Sequence, residues 1–271
     1  MSNLDGKGRT ALITGASAGI GAALARVFAE HGFDLVLTAR REERLASLAV
    51  ELRNQFGVTA TPIAADLADP QAPRRLFDEL EARGIHVDAL VNNAGYGVPR
   101  AFRKASWETH AEFMQVLVTA VLELTHRFEP GMTERRYGRI LNVASLAGLV
   151  PGSAGHTLYG AAKSFLIKFS ESLALEHAGD GVHVTALCPG FTHTEFHDVA
   201  GLRDLVRRLP SPLWMDAGAV AQGGYRAVMA GQPLCIPGAI NRVIASATRL
   251  VPESVALKIM KTQTKRIRRA E

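Results

Sequence analysis

Residues 10–21, Thr-Ala-Leu-Ile-Thr-Gly-Ala-Ser-Ala-Gly-Ile-Gly, decide the fold, because an apolar run at 10–14 leads into a glycine-rich turn. Small and apolar residues follow at helical spacing from 22 to 28, so the pattern predicts a strand, a tight turn and a helix. Gly15 permits a tight exit from the strand, Gly19 lets the backbone approach a pyrophosphate, and Gly21 lets the helix pack closely on the sheet. The first amides of the helix would then face a phosphate. The turn indicates dinucleotide binding, with glycines that serve packing alone as the alternative.

The rest of the chain continues this alternation of strands and helices. Strands are predicted at 10–14, 34–39, 59–64, 87–92, 139–143 and 182–188, and helices at 22–28, 42–55, 70–83, 107–132 and 159–177. The strands are nearly all apolar, so both faces of the sheet must be covered by helices. The sequence therefore predicts an α/β fold with a Rossmann-like, doubly wound parallel sheet.

The composition is that of a globular protein. Of 271 residues, 47% are hydrophobic and 21% charged, which excludes disorder, collagen and coiled coil. Residues 2–9 are polar and no stretch of 18 uninterrupted apolar residues follows, so neither export nor a membrane span is predicted. Cys188 and Cys235 lie far apart in apolar runs and are predicted to be buried free thiols, which favours a reducing, cytoplasmic setting.

The net charge of +5 is concentrated at the carboxyl end of the sequence. Residues 258–271 hold six basic residues and one acidic residue, so residues 1–257 hold 25 of each. The body therefore lacks the charge excess that nucleic-acid binding needs, and no nucleic-acid partner is predicted. The basic tail is interpreted as solvated, with phosphate binding as the alternative.

The end of the second strand, Thr38-Ala-Arg-Arg41, indicates which dinucleotide binds. An NAD site usually places an acidic residue here for the ribose hydroxyls, whereas a guanidinium suits a 2′-phosphate. We therefore predict NADP(H), with Arg40 as the stronger candidate, Arg41 beside it and Ser17 as a helper. The alternative is that both arginines only solvate the start of the next helix.

Two further groups belong to the same predicted site. The run Asn92-Asn-Ala-Gly95 closes the fourth strand, at the carboxyl edge where open α/β sheets bind ligands. Asp66 follows the third strand and is a candidate to hold the adenine, together with the backbone of Leu67. A helix cap ahead of Pro70 is the alternative for Asp66.

Tyr159 and Lys163 are spaced i, i+4, so both side chains lie on one face of a helix. A phenol ionises at about pH 10 and is a poor base unless a cation lowers its pKa, as Lys163 and a positively charged nicotinamide would. Ser145 follows the fifth strand at the same edge, where its hydroxyl would hold a carbonyl oxygen. A surface pair is the alternative for the two residues alone, but their conjunction with Ser145 and the glycine turn favours an active site.

Together these motifs resemble the classical form of the short-chain dehydrogenase/reductase family. The resemblance runs from about residue 9 to 236 and rests on residues 14–21, Asp66, residues 92–95, Ser145, Tyr159 fourteen residues later, Lys163, Pro189-Gly190, Thr192 and Thr194. It implies a sheet of about seven strands, an NAD(P)(H) cofactor and the interconversion of a carbonyl and an alcohol.

By position, the resemblance implies that Tyr159 is the acid/base, that Ser145 orients the substrate oxygen, and that Lys163 holds the nicotinamide ribose and lowers the tyrosine pKa. Residues 189–194 would contact the nicotinamide end. The full predicted cofactor site consists of Gly15, Ser17, Gly19, Ile20, Gly21, Arg40, Arg41, Asp66, Leu67, Asn93, Ala94, Gly95, Tyr159, Lys163, Pro189, Gly190, Thr192 and Thr194.

Leu117 departs from the family pattern. The family commonly carries an asparagine there, which anchors a water that links the lysine to solvent. Leucine cannot form a hydrogen bond, so another group or bulk water completes the proton relay, or turnover is slow; Leu117→Asn is then expected to raise kcat. The alternative is that Leu117 packs in the core or in a subunit interface.

The substrate side is predicted from residues 191–214, an apolar lid that indicates a substrate with a hydrophobic body. The lid's apolar residues are Phe196, Leu202, Leu205, Val206, Leu209 and Trp214. His193 and His197 are spaced i, i+4 but have no third ligand nearby, so no metal is predicted. Tyr96, His156 and Trp214 are candidates to line the pocket, with packing or surface positions as the alternative.

The chain is predicted to form one domain, with residues 1–238 as the catalytic part and 239–271 as a helical extension with a basic tail. The amphipathic extension would dock on a sister subunit, complete the pocket or rest on an anionic membrane. The membrane is the least favoured of the three, because no second anchoring signal is present. A homodimer or homotetramer is predicted.

These observations predict an NADP(H)-dependent oxidoreductase that interconverts a carbonyl and an alcohol on a hydrophobic small molecule through Ser145, Tyr159 and Lys163. The alternative is a cofactor-binding regulatory or scaffold protein with weak or lost catalysis, which Leu117 makes conceivable. Epimerase and dehydratase chemistry are compatible with the same fold.

Overall fold

The computed structural model describes residues 5–98, 101–154, 157–195, 210–251 and 255. Its centre is a seven-stranded sheet in the spatial order β3-β2-β1-β4-β5-β6-β9. The strands are β1 (Thr10–Thr14), β2 (Asp34–Ala39), β3 (Ala60–Ala64), β4 (Ala89–Asn92), β5 (Gly138–Val143), β6 (Val182–Leu187) and β9 (Leu234–Cys235). All pairs are parallel. The strand order reverses beside β1, which opens a crevice at the carboxyl ends of β1 and β4.

Helices cover both faces of the sheet. They are α1 (Gly19–Glu30), α2 (Glu42–Phe56), α3 (Ala72–Ala82), α4 (Trp107–Met114), α5 (Ala120–Glu134), α6 (Thr157–Glu176), α7 (Ala217–Met229) and α8 (Ala239–Leu250). A π-helical segment, Gln115–Thr119, joins α4 to α5. Strands β7 (Phe191–Thr192) and β8 (Trp214–Met215) form a separate parallel pair.

The core explains why the strands are almost entirely apolar. Neighbouring residues of β1 point to opposite faces, so Ile13 packs with α1, α2 and α7 while Leu12 packs with α3, α4 and α5. Both side chains are fully buried. The doubly wound α/β fold that the sequence predicts is confirmed.

The structure differs from the sequence-based prediction in several details. The single helix predicted at 107–132 is instead α4, the π-helical segment and α5. The short seventh strand, β9, was not located from the sequence. Both cysteines are free thiols, as predicted, although Cys235 is half-buried rather than buried.

Some predicted features lie outside the described residues. These are the middle of the predicted lid at 196–209 and most of the C-terminal extension beyond residue 251, including the basic tail at 258–271. Within the described part of the chain, no helix is both long and apolar enough to cross a membrane.

Candidate active site

A cavity of about 1630 Å³ opens at the carboxyl edge of the sheet. It brings together almost every residue of the predicted site: Gly15, Ser17, Gly19, Ile20, Arg40, Arg41, Asp66, Leu67, Asn93, Ala94, Gly95, Ser145, Tyr159, Lys163, Pro189, Gly190, Thr192 and Thr194. Gly21 is the exception, because it lies beneath the turn rather than on the cavity wall. Residues that are far apart in the chain thus form one continuous surface.

The glycine turn owes its shape to two close approaches. Gly15 has a φ of 66°, and a Cβ there would lie 2.8 Å from the side-chain nitrogen of Asn93. A Cβ on Gly21 would collide with the carbonyl oxygen of Gly15 and with the same side-chain nitrogen. No larger residue fits either position without moving the turn.

The start of α1 presents amides to the cavity. The helix begins at Gly19, and its N-cap residue Ala18 has no side chain that accepts a hydrogen bond from them. The first amides of a helix carry partial positive charge and need an acceptor. This end of α1 is therefore suited to a phosphate.

Asn93 and Thr14 hold the turn against the end of β4. The Asn93 side chain donates to the carbonyl oxygens of Thr14 and Gly15, at 2.9 and 3.2 Å. The Thr14 hydroxyl oxygen accepts from the amides of Asn93 and Ala94, at 2.9 and 3.0 Å, and donates to the carbonyl of Val91. Asn93 thus serves to fix the shape of the turn.

Two arginines line the cavity beyond the end of β2. Nε and Nη2 of Arg41 donate to the Ser17 hydroxyl, at 3.2 and 3.1 Å. Arg40 has no ion pair within the residues that the structure describes. Of the predicted group, Arg41 and Ser17 are therefore in contact, and Arg40 lines the same cavity with its guanidinium available to an anion.

Asp66 is exposed on the cavity wall, and its side chain accepts from the amide of Ala68 at 3.0 Å. The next helix, α3, begins at Ala72 with Gln71 as its N-cap residue. The helix-cap alternative for Asp66 is therefore wrong, because the carboxylate closes a turn that precedes the helix.

Ser145, Tyr159 and Lys163 meet at the inner end of the cavity. The Lys163 side chain is buried, and its Nζ atom donates to the carbonyl oxygen of Val143 at 2.7 Å and lies 5.8 Å from the centroid of the Tyr159 ring. The Ser145 hydroxyl oxygen accepts from the amide of Ala147 at 3.1 Å. A phenol, a hydroxyl and an ammonium therefore share one corner of the cavity, where Lys163 is buried and Ser145 and Tyr159 are partly exposed.

Burial dominates the titration of this corner. It raises the pKa of Tyr159 above its ordinary value, whereas the sequence predicts that Lys163 lowers it, and the effect that opposes the rise is a hydrogen bond with the Ser145 side chain. Burial lowers the pKa of Lys163 to about 8, with a small opposing effect from Cys188. At neutral pH Tyr159 therefore keeps its phenolic proton, and Lys163 is charged in most molecules of the protein.

Leu117 lies in the π-helical segment and is 1% exposed. It packs in the apolar cluster of α4 and α5 with Phe113 and Val116, and its side chain faces Gly95. The structure therefore places it in the core, one of the alternatives that the sequence leaves open.

The structure adds a wall that the sequence did not identify as part of the site. Ile244 and Thr248 of α8 line the cavity together with Val150 and Pro151. The Thr248 hydroxyl donates to the carbonyl oxygen of Ala245 at 3.0 Å and also lies 3.4 Å from the carbonyl oxygen of Leu149, which places α8 against the loop after β5. The three interpretations of the C-terminal extension rest on apolar residues between 251 and 267, most of which lie outside the described residues, so these contacts concern only its first part, 239–250.

Of the three residues predicted as candidates to line the pocket, one lines the cavity, one does not, and one lies outside the described residues. Tyr96 lines the cavity, whereas Trp214 lies off it and stacks on His193, with 4.6 Å between ring centroids. His156 and His197 lie outside the described residues. Within the described part of the chain no cluster of three metal-ligating side chains occurs.

A buried polar network behind the site was also missed. Asn92 donates to Asn142 at 2.9 Å, and Asn142 donates to the hydroxyl of Ser170 at 2.9 Å. These bonds tie β4, β5 and α6, the elements that carry or precede the site residues, together. An asparagine inside the apolar strand β5 was the signal that would have revealed the network.

The fold and this cavity define a Rossmann-like α/β protein with its ligand site at the carboxyl edge of the sheet. The model of the short chain dehydrogenase family matches residues 9–202, and the chain belongs to that family. It is therefore an oxidoreductase of the short-chain type.

Similar proteins have diverse substrates. Sulfoacetaldehyde reductase 2 of Chromohalobacter salexigens is 38% identical over 190 residues, 68% of this chain and 73% of the relative. A short-chain dehydrogenase of Sphingobium yanoikuyae, solved in complex with NADPH, has a TM-score of 0.78 and 33% identity over 84% of this chain and 87% of its own. The bulky-bulky ketone specific alcohol dehydrogenase of Comamonas testosteroni has a TM-score of 0.75 and 30% identity over 89% of this chain and 92% of its own.

Proposed function

We propose that this protein is an NADP(H)-dependent oxidoreductase that interconverts a carbonyl and an alcohol on a small molecule with a hydrophobic body. The observation that carries the proposal is the meeting of Ser145, Tyr159 and Lys163 at the inner end of the cavity that the glycine turn and Arg40 also line. The regulatory alternative is not favoured, because these groups are all present and face one cavity.

The cavity fits a dinucleotide with a 2′-phosphate. The uncapped amides at the start of α1 suit the pyrophosphate, and Gly21, which has no Cβ, lets α1 begin close beneath the Gly15 turn. Arg40, Arg41 and Ser17 would hold the 2′-phosphate, and Asp66 lies on the wall where the adenine would be held. NADPH supplies a hydride to a carbonyl carbon when it is bound.

The chain's own residues handle the proton. The Ser145 hydroxyl would donate to the carbonyl oxygen of the substrate and hold it beside Tyr159. The pKa of Tyr159 is raised, so the phenol keeps the proton that it must give to that oxygen during reduction. The ammonium of Lys163 would hold the nicotinamide ribose and favour the phenolate that remains.

The apolar wall supports a substrate with a hydrophobic body. Val150, Pro151, Phe191 and Ile244 line the cavity on the side of α8. A bulky apolar ketone would bury its substituents against them.

The proposal includes a homodimer or homotetramer. Trp107, Phe165 and Leu175 are large apolar residues that are 74%, 43% and 77% exposed. An interface between copies of this chain that included these side chains would remove them from water. Light scattering after gel filtration tests it, and a monomer would contradict it.

The proposed reaction is tested in two steps. The purified protein is titrated with NADPH and with NADH at equal ionic strength, and a panel of ketones and aldehydes is then screened for NADPH oxidation. Tyr159→Phe should lower turnover by about 10²-fold or more while leaving NADPH affinity nearly unchanged. Tyr225→Phe is the matched control, because it also removes one buried phenol oxygen, which has no hydrogen-bond partner in the described structure.

Binding of neither dinucleotide, or equal turnover by wild type and Tyr159→Phe, would overturn the proposed function.

A further inference from the structure

Glu195 lies at the end of the cavity that the proposed 2′-phosphate would occupy. It lines the cavity, and its Oε2 atom accepts from Nη1 of Arg41 at 3.0 Å. Arg44 donates through Nη1 to both carboxylate oxygens, at 2.8 and 2.9 Å. The Glu195 carboxylate, which follows β7 in the chain, thus bridges the guanidinium groups of Arg41, the N-cap residue of α2, and Arg44, in the first turn of that helix.

The bridge occupies a donor that the proposed cofactor needs. Arg41 uses Nε and Nη2 for the Ser17 hydroxyl and Nη1 for Glu195. A 2′-phosphate held by Arg41 and Ser17 would be a dianion beside the carboxylate, and two anions at this range repel each other. Phosphate and Glu195 therefore compete for the same guanidinium.

The carboxylate is charged whenever this competition matters. Hydrogen bonds from Arg41, and then from Arg44, hold the pKa of Glu195 below its usual range. The three side chains are nearly half exposed, at 45% for Arg41, 49% for Arg44 and 47% for Glu195. Exposed ion pairs are weak, so a phosphate dianion can displace the carboxylate.

We propose that Glu195 is a specificity-determining residue that competes with the 2′-phosphate for Arg41 and so weakens the binding of NADPH, but not of NADH. The inference rests on the proposed function, since it needs a 2′-phosphate at Arg41. Glu195 is an internal stand-in for that phosphate and keeps Arg41 paired when the cofactor has left. Glu195 lies one residue after Thr194, which lines the same cavity and packs against Gly19, so the bridge also links this segment to the glycine turn.

The test measures dissociation constants of NADPH and NADH for wild type, Glu195→Gln and Glu51→Gln at one ionic strength. Glu195→Gln keeps the side-chain shape but removes the charge, and it should tighten NADPH binding by about 3-fold to 10-fold with NADH binding unchanged. Glu51→Gln is the matched control, because it removes the same charge from another exposed arginine pair, Arg26 and Glu51, away from the cavity. It should leave both constants unchanged.

A double variant shows whether Arg41 mediates the effect. In an Arg41→Ala background, Glu195→Gln should tighten NADPH binding less than it does in wild type, because the competition for the shared guanidinium is gone and only the repulsion between the two anions remains. Competition by 2′,5′-ADP against 5′-AMP isolates the phosphate end, and Glu195→Gln should favour only the doubly phosphorylated fragment.

Each outcome decides between the two proposals. If wild type prefers NADPH but Glu195→Gln leaves the NADPH to NADH ratio unchanged or weakens NADPH, the role of Glu195 is overturned and the proposed function stands. If wild type prefers NADH and Glu195→Gln shifts the ratio towards NADPH, the role of Glu195 is supported and the NADPH preference is overturned. If wild type binds neither dinucleotide, both are overturned.

Discussion

The ammonium of Lys163 donates a 2.7 Å hydrogen bond to the carbonyl oxygen of Val143, the last residue of β5. This bond fixes the middle of the α6 face that carries Tyr159 to the strand end that precedes Ser145. The bond also keeps a cation in a place where it is 5% exposed. The geometry of the proposed active site is therefore obtained at a cost in stability.

We expect Lys163→Met to make the protein more stable while it abolishes turnover. Burial lowers the pKa of Lys163 from 10.5 to about 8. Below pH 8 the lysine is charged in both the folded and the unfolded chain, so the burial penalty is fully present. Removing the charge should raise the free energy of unfolding by roughly 2 kcal/mol at pH 7, after allowance for the lost hydrogen bond.

The stability difference between Lys163→Met and wild type should shrink as the pH rises above about 8. Between about pH 8 and 10.5 the folded chain has already lost the proton that the unfolded chain still binds, so wild-type stability rises relative to the variant. Urea unfolding at pH 7 and pH 10 should show the gap shrinking. Lys168→Met, at an exposed lysine of the same helix, is the control and should show no such gap. A gap that does not change with pH would contradict the prediction.

Gly21→Ala should weaken dinucleotide binding. The added Cβ would collide with the carbonyl oxygen of Gly15 and the side chain of Asn93, so the turn must shift. A shift of this turn moves the amides at the start of α1 away from the pyrophosphate. Titration with NADPH should show at least about a 10-fold loss of affinity, equivalent to about 1.4 kcal/mol.

Gly223→Ala is the control for that substitution. Gly223 lies within α7, and a Cβ there would make only an ordinary contact, 3.9 Å from Pro237. It should bind NADPH like wild type and gain slightly in stability, because alanine favours helix. Equal binding by both variants would show that the turn tolerates the Cβ.

The sheet, the glycine turn and the spacing of Tyr159 and Lys163 could be predicted from the sequence because each depends on a local pattern. The turn with Gly15 and Gly19 and the spacing of Tyr159 and Lys163 each fall within one element or one connection. The exceptions depend on contacts between distant segments. Glu195 meets Arg41 across 154 residues of chain, and β9 is a pair of residues defined only by its pairing with β6.

Two other features could not be predicted for a different reason. The π-helical segment at Gln115–Thr119 interrupts a continuous helical pattern without glycine or proline, so no local signal marks it. The role of Ile244 depends on where α8 docks, which its amphipathic pattern leaves open. Periodicity shows that a helix has an apolar face and not what that face contacts.

Arg40→Ala should weaken NADPH binding and leave NADH binding unchanged. Arg40 lines the cavity and has no ion pair within the described residues, so its guanidinium is available to a phosphate. Hydrogen bonds to charged groups contribute about 1.5–3 kcal/mol, which corresponds to a loss of roughly 10-fold to 100-fold. Fluorescence titration with NADPH and with NADH measures this loss of affinity. Arg26→Ala removes an equal charge outside the cavity, and an equal loss there would show that the effect is only a long-range field.

Ile244→Ala should enlarge the substrate end of the cavity. Ile244 lines the cavity from α8, whereas its neighbour Val243 is 67% exposed and points away from it. We expect kcat/KM to rise for the bulkiest accepted ketone relative to the smallest, by roughly 4-fold for each added methylene that is buried, from about 0.8 kcal/mol per methylene. Val243→Ala should leave the ratio unchanged. If both variants alter the ratio alike, α8 does not select the substrate through Ile244.

Leu117→Asn tests whether the departure from the family pattern limits the rate. The family commonly carries an asparagine at this position, which anchors a water of the proton relay. The side chain of Leu117 has no polar atom. We therefore expect the variant to raise kcat for a substrate found in the carbonyl screen.

The same substitution should lower stability, because Leu117 is 1% exposed among apolar side chains and an amide there lacks most of its hydrogen-bond partners. The free energy of unfolding should fall by about 1–3 kcal/mol. Leu117→Met keeps volume and apolarity, so it should keep both kcat and stability near wild type. A stable, folded Leu117→Asn protein with unchanged kcat would show that the protons reach solvent by a route that does not involve residue 117.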